Sequence, residues 1–392
     1  MDREDILKDV LELKGRNFLL ELPTGTGKTR IALEKIKFLR VKKILIVISR
    51  LVQENVWKEE INKWYKENNL NITFTTYLSL HKHIGKYDIL LLDEAHHLSE
   101  RCRELIPQFK YKYSILLSAT IPNNLRYDLQ ILFAPLSTYK KTLRATINDN
   151  ILPDPTVYLI PMELDNTISS EIIIKNSKVV GKGIHCLYKD RWINLRNHKK
   201  TYIHCTPKEY LYEKDLEIDY WKKKYFATRN ERLKNKWLYL CGKRLKYLSD
   251  KKTLFIKEIL NIIYKHKLRS ITFCNSINQA EELGKYCITS NNSKSSEYLE
   301  AFNTKKINSI TSCNMLNESV NLTDCKIGIF ASINSSDVLI KQKNGRVLRH
   351  KEPIIIIPYY KNTREEELVN KMTENYNPQL IKIINNLKEL KL

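Results

Sequence analysis

The sequence predicts an α/β fold: two tandem parallel sheets, each interleaved with helices, with a basic insertion between them. Short runs rich in Ile, Leu and Val recur in both halves without the alternation of a half-exposed strand, as expected of strands covered on both faces. Helical patterns lie between these runs, which is the βαβ order of an open parallel sheet. The middle differs from both flanks: residues 191–252 carry eighteen Lys or Arg against seven Asp or Glu, interleaved with aromatics.

In the first half, residues 1–150, the strand-like runs are "NFLLEL", "KILIVIS", "ITFTTY", "YDILLLD" and "YSILLSAT". "RIALEKIKFLR" and "LVQENVWKEEINKWYKEN" place apolar residues at helical spacing between them. Residues 151–250 form the middle unit. It begins in a stretch, 146–165, whose Pro and Asn density reads as a connector. A hairpin and long polar helices are expected next. There "YWKKKYF" (220–226) offers Trp221, Lys222, Lys223 and Lys224 as a nucleic-acid grip, bases stacking on rings beside phosphates held by lysines. Helices with a buried aromatic stripe and a solvated basic face fit the same pattern. In the second half, residues 251–392, "RSITFC", "INSITSC", "CKIGIFAS" and "PIIIIPYY" read as strands, followed by a helical tail.

The chain of 392 residues suits two or three domains. Its formal charge of +23 favours a polyanionic partner, nucleic acid before an acidic membrane, although the Lys and Asn richness of an AT-rich genome contributes to it. No run of about eighteen apolar residues predicts a membrane span, and the acidic N-terminus lacks the apolar core of a signal peptide. The eight Cys are scattered without CxxC spacing, which fits reduced thiols and a cytoplasmic protein. His185-Cys186 and His204-Cys205 could supply zinc ligands, but neighbours on a strand face opposite sides.

Chemistry concentrates in three stretches. "LPTGTGKTR" (22–30) follows a predicted strand and opens a helix. Thr24, Gly25, Thr26 and Gly27 can curl backbone N–H groups around phosphates, Lys28 can reach the outer phosphates, and the Thr29 hydroxyl can ligate Mg2+. Leu22 stands where the strict spacing has Gly. "ILLLDEAHHL" (89–98) ends an apolar strand with two adjacent acids, which are costly to bury unless a cation waits there. Asp93 is the expected Mg2+ ligand, Glu94 the group that orients and deprotonates water, and His96 a coupling residue. "QKNGRVLRH" (342–350) puts Gln342, Arg346 and Arg349 on one face of a helix.

With "SAT" (118–120), these motifs occur in the order and spacing of the superfamily 2 helicases, over about residues 17–375 outside the insertion. Within that superfamily the chain resembles the DEAH-type DNA helicases of phages and restriction systems. The resemblance implies two RecA-like lobes, ATP and Mg2+ as cofactors, nucleic acid as partner with DNA favoured over RNA, and a monomer. It implies that Arg346 and Arg349 reach across to ATP held by the first lobe, and that Ser118 and Thr120 couple hydrolysis to movement. It assigns nucleic-acid contacts to Ser49 and Arg50 in "ISRLVQENVW", to Thr76 in "FTTYLSL", and to Cys274, Asn275 and Ser276. "NMLNESVNLTDCKIGIFAS" resembles motif V, with Glu318 toward the nucleotide and Ser319 where the group usually carries Gly. "MDREDILKDVLELKG" lacks the Gln that reads adenine in many relatives. The function expected is an ATP-dependent helicase or translocase. The alternatives are an ATP-switched nucleic-acid clamp and the motor subunit of a restriction or defence complex.

Overall fold

The computed structural model describes residues 2–65, 70–176, 179–180, 183–188, 191–195, 200–313, 322–333, 347 and 350–392. The first lobe is a sheet of β1 (Asn17–Glu21), β2 (Lys43–Ile48), β3 (Asn71–Thr76), β4 (Lys86–Leu92), β5 (Lys110–Ser118) and β6 (Leu136–Lys140), in the order β3-β2-β4-β5-β1-β6. Every pairing in it is parallel. Residues 44–48 and 89–92 are fully buried, as unalternating apolar strands require. Successive residues enter opposite cores: Ile44, Ile46, Ile89 and Leu91 pack beneath helices α1 (Arg3–Glu12), α2 (Lys28–Phe38) and α3 (Val52–Trp64), while Leu45, Val47, Leu90 and Leu92 pack on the other face. The edge strand β6 escapes sequence reading because "LSTYK" is largely polar and half-exposed.

One buried cation fixes the helices. The Lys35 Nζ of α2 donates to the carbonyls of Val10, Leu11 and Leu13 at 3.0, 2.9 and 3.0 Å, where α1 ends. It satisfies carbonyls that a helix terminus leaves unpaired and ties α1 to α2.

The second lobe is also parallel throughout. It contains β7 (Thr156–Met162), reached before the insertion. The insertion's strands follow: β8 (Glu171–Asn176), β9 (Val179–Val180), β10 (Gly183–Tyr188), β11 (Arg191–Leu195) and β12 (Lys200–Cys205). The lobe is completed by β13 (Ser270–Cys274), β14 (Cys287–Ile288), β15 (Ser309–Cys313), β16 (Ile327–Phe330), β17 (Ile354–Tyr360) and β18 (Ile381–Ile383), in the order β14-β15-β13-β16-β17-β7-β18. Residues 156–162, expected in a connector, are thus a strand of this sheet. Of the prolines that suggested a connector, Pro153 and Pro155 precede the strand and only Pro161 lies in it. Pro161 lies beyond the reach of β18, which pairs only with Val157–Leu159, and Pro358 lies beyond the pairing of β17 with β16.

The chain leaves this sheet after β7 and returns at the helix Thr253–Lys265. Between lie a two-stranded sheet, a three-stranded sheet and a helical hairpin, Pro207–Thr228 and Glu231–Lys251. Arg229 at φ 53° and the Asn230 cap make its turn. His204 is exposed and Cys205 buried, on opposite faces of β12; β10, which carries the other His-Cys pair, belongs to a different sheet. No described helix is long and apolar enough to cross a membrane.

The hairpin's return is anchored by an ion pair with no solvent contact: Lys252 Nζ meets Glu365 Oε1 at 2.6 Å and the Pro358 carbonyl at 3.1 Å, and Glu365 Oε2 accepts from the Tyr360 N–H at 3.1 Å. Burial lowers the Lys252 pKa, and Glu365 opposes that shift. Removing one partner strands the other. Glu365→Ala should lower unfolding free energy by about 3–5 kcal/mol, whereas Lys252→Met with Glu365→Gln, which keeps an acceptor for Tyr360, should restore most of it. Denaturant unfolding checks this; equal losses in both would show that the pair does not act as a unit.

Candidate nucleotide cleft and nucleic-acid face

The residues between β1 and α2 form a loop at the carboxyl edge of the first sheet. Gly25 and Gly27 have φ of 95° and 90°, a region L side chains rarely adopt, and Gly27 caps α2. Thr26 Oγ1 donates to the Pro23 carbonyl at 2.8 Å and closes the turn. The N-terminus of α2, beginning at Lys28, therefore opens onto this loop, and a helix start is where anions are received. Leu22 is buried in the core, and its carbonyl accepts from Lys28 Nζ at 3.0 Å.

Opposite the loop, β4 ends in Asp93 and Glu94. Asp93 is held on three sides. Trp57 Nε1 of α3 donates to its Oδ2 at 2.9 Å, the Glu94 N–H to its Oδ1 at 3.0 Å, and the Tyr77 hydroxyl to its carbonyl at 2.8 Å. Burial and the neighbouring Glu94 charge raise the Asp93 pKa to about 6, against the opposing pull of Trp57 and Lys28. Glu94 is a buried non-glycine residue at φ 51°, a strained conformation. His96 Nδ1 lies 3.4 Å from Glu94 Oε2 and 3.1 Å from Ser118 Oγ. Ser118 Oγ donates to the Thr120 carbonyl at 2.9 Å and accepts from the Thr120 N–H at 3.2 Å. Glu94, His96, Ser118 and Thr120 thus form one polar chain from β4 to the end of β5.

The phosphate loop, Trp57, Asp93 and Glu94 line a cleft of about 870 Å3 whose remaining wall includes Ile147, Asn148, residues 150–154 and, just before β17, His350 and Lys351. Thr24 Oγ1 and Asp154 Oδ1 are buried there without a hydrogen-bond partner among the described residues. Orphaned polar atoms, paired carboxylates, an anion-receiving helix start and Lys28 fit a magnesium nucleotide. Thr29 and Asp93 are the residues that would hold the metal.

The remaining sequence candidates separate. Ser49 and Arg50 follow β2 in a turn locked by Gln53, whose Oε1 accepts from both N–H groups at 2.6 and 3.1 Å. Arg50 is exposed, and Leu78, just beyond Thr76, is 91% exposed. Cys274 is buried, Asn275 is half-buried, and Ser276 donates to Asp250 Oδ1 at 2.9 Å while capping the helix Ile277–Leu283. On the hairpin, Lys222, Lys223 and Lys224 are exposed. Trp221 is half-buried, 5.3 Å edge-on from Tyr220, with Lys224 Nζ over both rings. Glu318, Gln342, Arg346 and Arg349 lie outside the described residues. Sequence reasoning missed Trp57, Gln53, Tyr77 and Asp154. It also missed Tyr212, Leu216 and Tyr220, exposed apolar residues four apart on one helix.

Residues 3–123 match the family model described as type III restriction enzyme, res subunit. Over 123 residues the chain is 34% identical to the DNA 3'-5' translocase XPB2 of Sulfurisphaera tokodaii; the match takes in 28% of this chain and 28% of that protein. Among solved structures, the chain resembles the Hef helicase domain of Pyrococcus furiosus, with TM-score 0.51 and 14% identity over 94% of this chain and 97% of that one. It also resembles Dbp5 of S. cerevisiae bound to RNA and ADP BeF3, with TM-score 0.57 and 12% identity over 98% and 89%. A putative HsdR fragment of a type I restriction enzyme from Vibrio vulnificus gives TM-score 0.58 and 18% identity over 98% and 67%. The fold is therefore the two-lobed RecA-like architecture of these helicases.

The raised Asp93 carboxyl has a consequence for the nucleotide-free protein. Above an unfolded value near 3.8 and up to about 6, folding must hold a proton or bear the cost of ionising the buried group, so Asp93 destabilises the fold progressively over that window. Asp93→Asn should leave the melting temperature unchanged near pH 4, raise it by about 2–4 °C above pH 6, and abolish hydrolysis. A gain that shrinks as pH rises would contradict the assignment.

Proposed function

We propose that the chain is an ATP-hydrolysing motor of helicase superfamily 2 that moves along nucleic acid, DNA in preference to RNA. The observation that carries this is one cleft in which Lys28 and Thr29 face Asp93 and Glu94 while a second sheet of the same architecture supplies His350 and Lys351 to the other wall. In this reading Lys28 leaves the Leu22 carbonyl for the phosphates. Thr29 and Asp93 would hold Mg2+, which when bound would neutralise phosphate charge. Glu94 takes the proton of the attacking water, and the contact from His96 to Ser118 passes the state of the cleft to β5.

Arg346 and Arg349 act from the second lobe on the transferring phosphoryl group. Support comes from their neighbours: Val347 is buried in that lobe's core, and His350 reaches the cleft. DNA as the track is supported by the net charge of +23 and by the similarity to a DNA translocase. The restriction-subunit family match favours a second reading, a motor within a restriction or defence complex; copurification of a nuclease subunit would distinguish it from a free-standing motor.

Lys28→Ala should abolish turnover without changing the melting temperature, and Glu94→Gln should bind ATP yet turn over slowly. Arg346→Ala and Arg349→Ala should each reduce turnover more than nucleotide affinity. Near-parental turnover in either of the first two would sink the assignment of that residue, and loss of affinity alone would remove the cross-lobe role of that arginine.

The hairpin is the proposed accessory grip. Replacing Lys222, Lys223 and Lys224 together with Ala should weaken DNA binding and flatten its salt dependence, because fewer counterions are released. Tyr220→Ala should weaken single-strand binding by about 1–3 kcal/mol with the slope intact. An unchanged slope in the triple variant would leave strand contact to the lobes.

A further inference from the structure

Glu21 ends β1, immediately before the phosphate loop, and is 4% exposed. It does not line the nucleotide cleft. A carboxylate is costly to bury unless it is paired. One oxygen of Glu21 is paired: Arg126 Nη2, from the helix Asn123–Leu132, donates to Oε2 at 2.6 Å, and Lys140 Nζ of β6 lies 3.7 Å from the same atom. The other oxygen makes a different contact. Glu21 Oε1 accepts the N–H of buried Ile121 at 3.2 Å.

Ile121 closes the turn that begins at Ser118. At the opposite end of that turn, the Ser118 carbonyl accepts the Leu22 N–H at 3.0 Å. Glu21 and Leu22 therefore hold both ends of the turn, one by side chain and one by backbone. Arg126 braces the same place, since its Nη2 also lies 3.5 Å from the Ile121 carbonyl. Leu22 reaches the nucleotide side as well: its carbonyl accepts from Lys28 Nζ at 3.0 Å. A nucleotide that draws Lys28 to its phosphates releases that carbonyl, and the next bonds along the chain are those to Ser118 and Ile121.

The turn thus has two inputs. His96 touches Glu94 and Ser118 Oγ, so it links the turn to the carboxylates. The Glu21–Leu22 clamp links the same turn to Lys28. Charge pairing with Arg126 and Lys140 requires only a negative side chain near them. The bond to Ile121 requires an acceptor at one distance, and a buried N–H that loses its acceptor is expensive.

We infer that Glu21 is a positioning residue that ties Lys28 to the Ser118–Ile121 turn, so that the state of the nucleotide reaches the strand-binding edge by a route that bypasses His96. Its bond to Ile121, rather than its charge, is what the route uses. The inference rests on the motor reading. Its test is the turnover of the full chain with Mg2+ and ATP, with and without saturating single-stranded DNA, together with the melting temperature, in the parent, Glu21→Gln and Glu21→Asp. Glu21→Gln keeps the reach and an acceptor for Ile121 but loses the charge. Glu21→Asp keeps the charge but is one methylene short. Glu21→Asp should lower the ratio of stimulated to basal turnover at least about fivefold, the low end of coupling between sites, while Glu21→Gln stays within about twofold of the parent. An ion cluster that only stabilises the fold gives another pattern: Glu21→Gln loses more melting temperature than Glu21→Asp, and neither moves the ratio. A ratio retained by Glu21→Asp, or lost equally by Glu21→Gln, in a parent that DNA stimulates overturns the inference alone. A parent that DNA does not stimulate overturns the motor reading and the inference together.

Discussion

Two adjacent carboxylates close a strand that is buried on both faces, and the surrounding structure answers the cost of keeping them there. Asp93 cannot ionise cheaply where it sits, so its carboxyl is pushed to about 6. Trp57, Tyr77 and the Glu94 N–H hold it in place rather than neutralise it. Glu94 is kept in a left-handed backbone conformation that β-region geometry would not give it. Such strain and desolvation persist where the surroundings over-determine the site.

The same constraint links the cleft to the rest of the molecule. The contact from Glu94 through His96 to Ser118 and Thr120 runs along the carboxyl edge of the first sheet. The turn after β2, locked by Gln53, shares that edge. On the other side the chain passes from the cleft wall at residues 147–154 straight into β7, a strand of the second sheet. A ligand touching both walls favours arrangements that bring them together, which is how occupancy of one site biases the relation of two lobes. The insertion leaves and re-enters that second sheet through β7 and the buried Lys252–Glu365 pair, so the hairpin is mounted on one lobe.

Long apolar strands were the most legible part of the sequence, because burial on both faces writes an unbroken Ile, Leu and Val run, as in "KILIVIS" and "DILLL". Strands that depart from that pattern were not: β6 is a polar edge, β14 and β18 span Cys287–Ile288 and Ile381–Ile383 only, and β7 follows Pro155 and carries Pro161 past its pairing with β18. In the cleft, Lys28, Thr29, Asp93 and Glu94 could be read because the motif itself carries their chemistry. Trp57 and Asp154 could not. A Trp on an amphipathic helix looks like core until its Nε1 is found on Asp93, and nothing local marks an Asp in a Pro-rich segment as facing a cleft.

The most direct measurement is the steady-state ATP hydrolysis rate of the full chain with Mg2+, in the absence and in the presence of saturating single-stranded DNA. A motor whose carboxylate pair is coupled through His96 and Ser118 to a strand-binding edge hydrolyses slowly alone and is strongly stimulated by DNA. A rate that DNA leaves unchanged would contradict that coupling and reduce the molecule to a nucleotide-binding fold without a track.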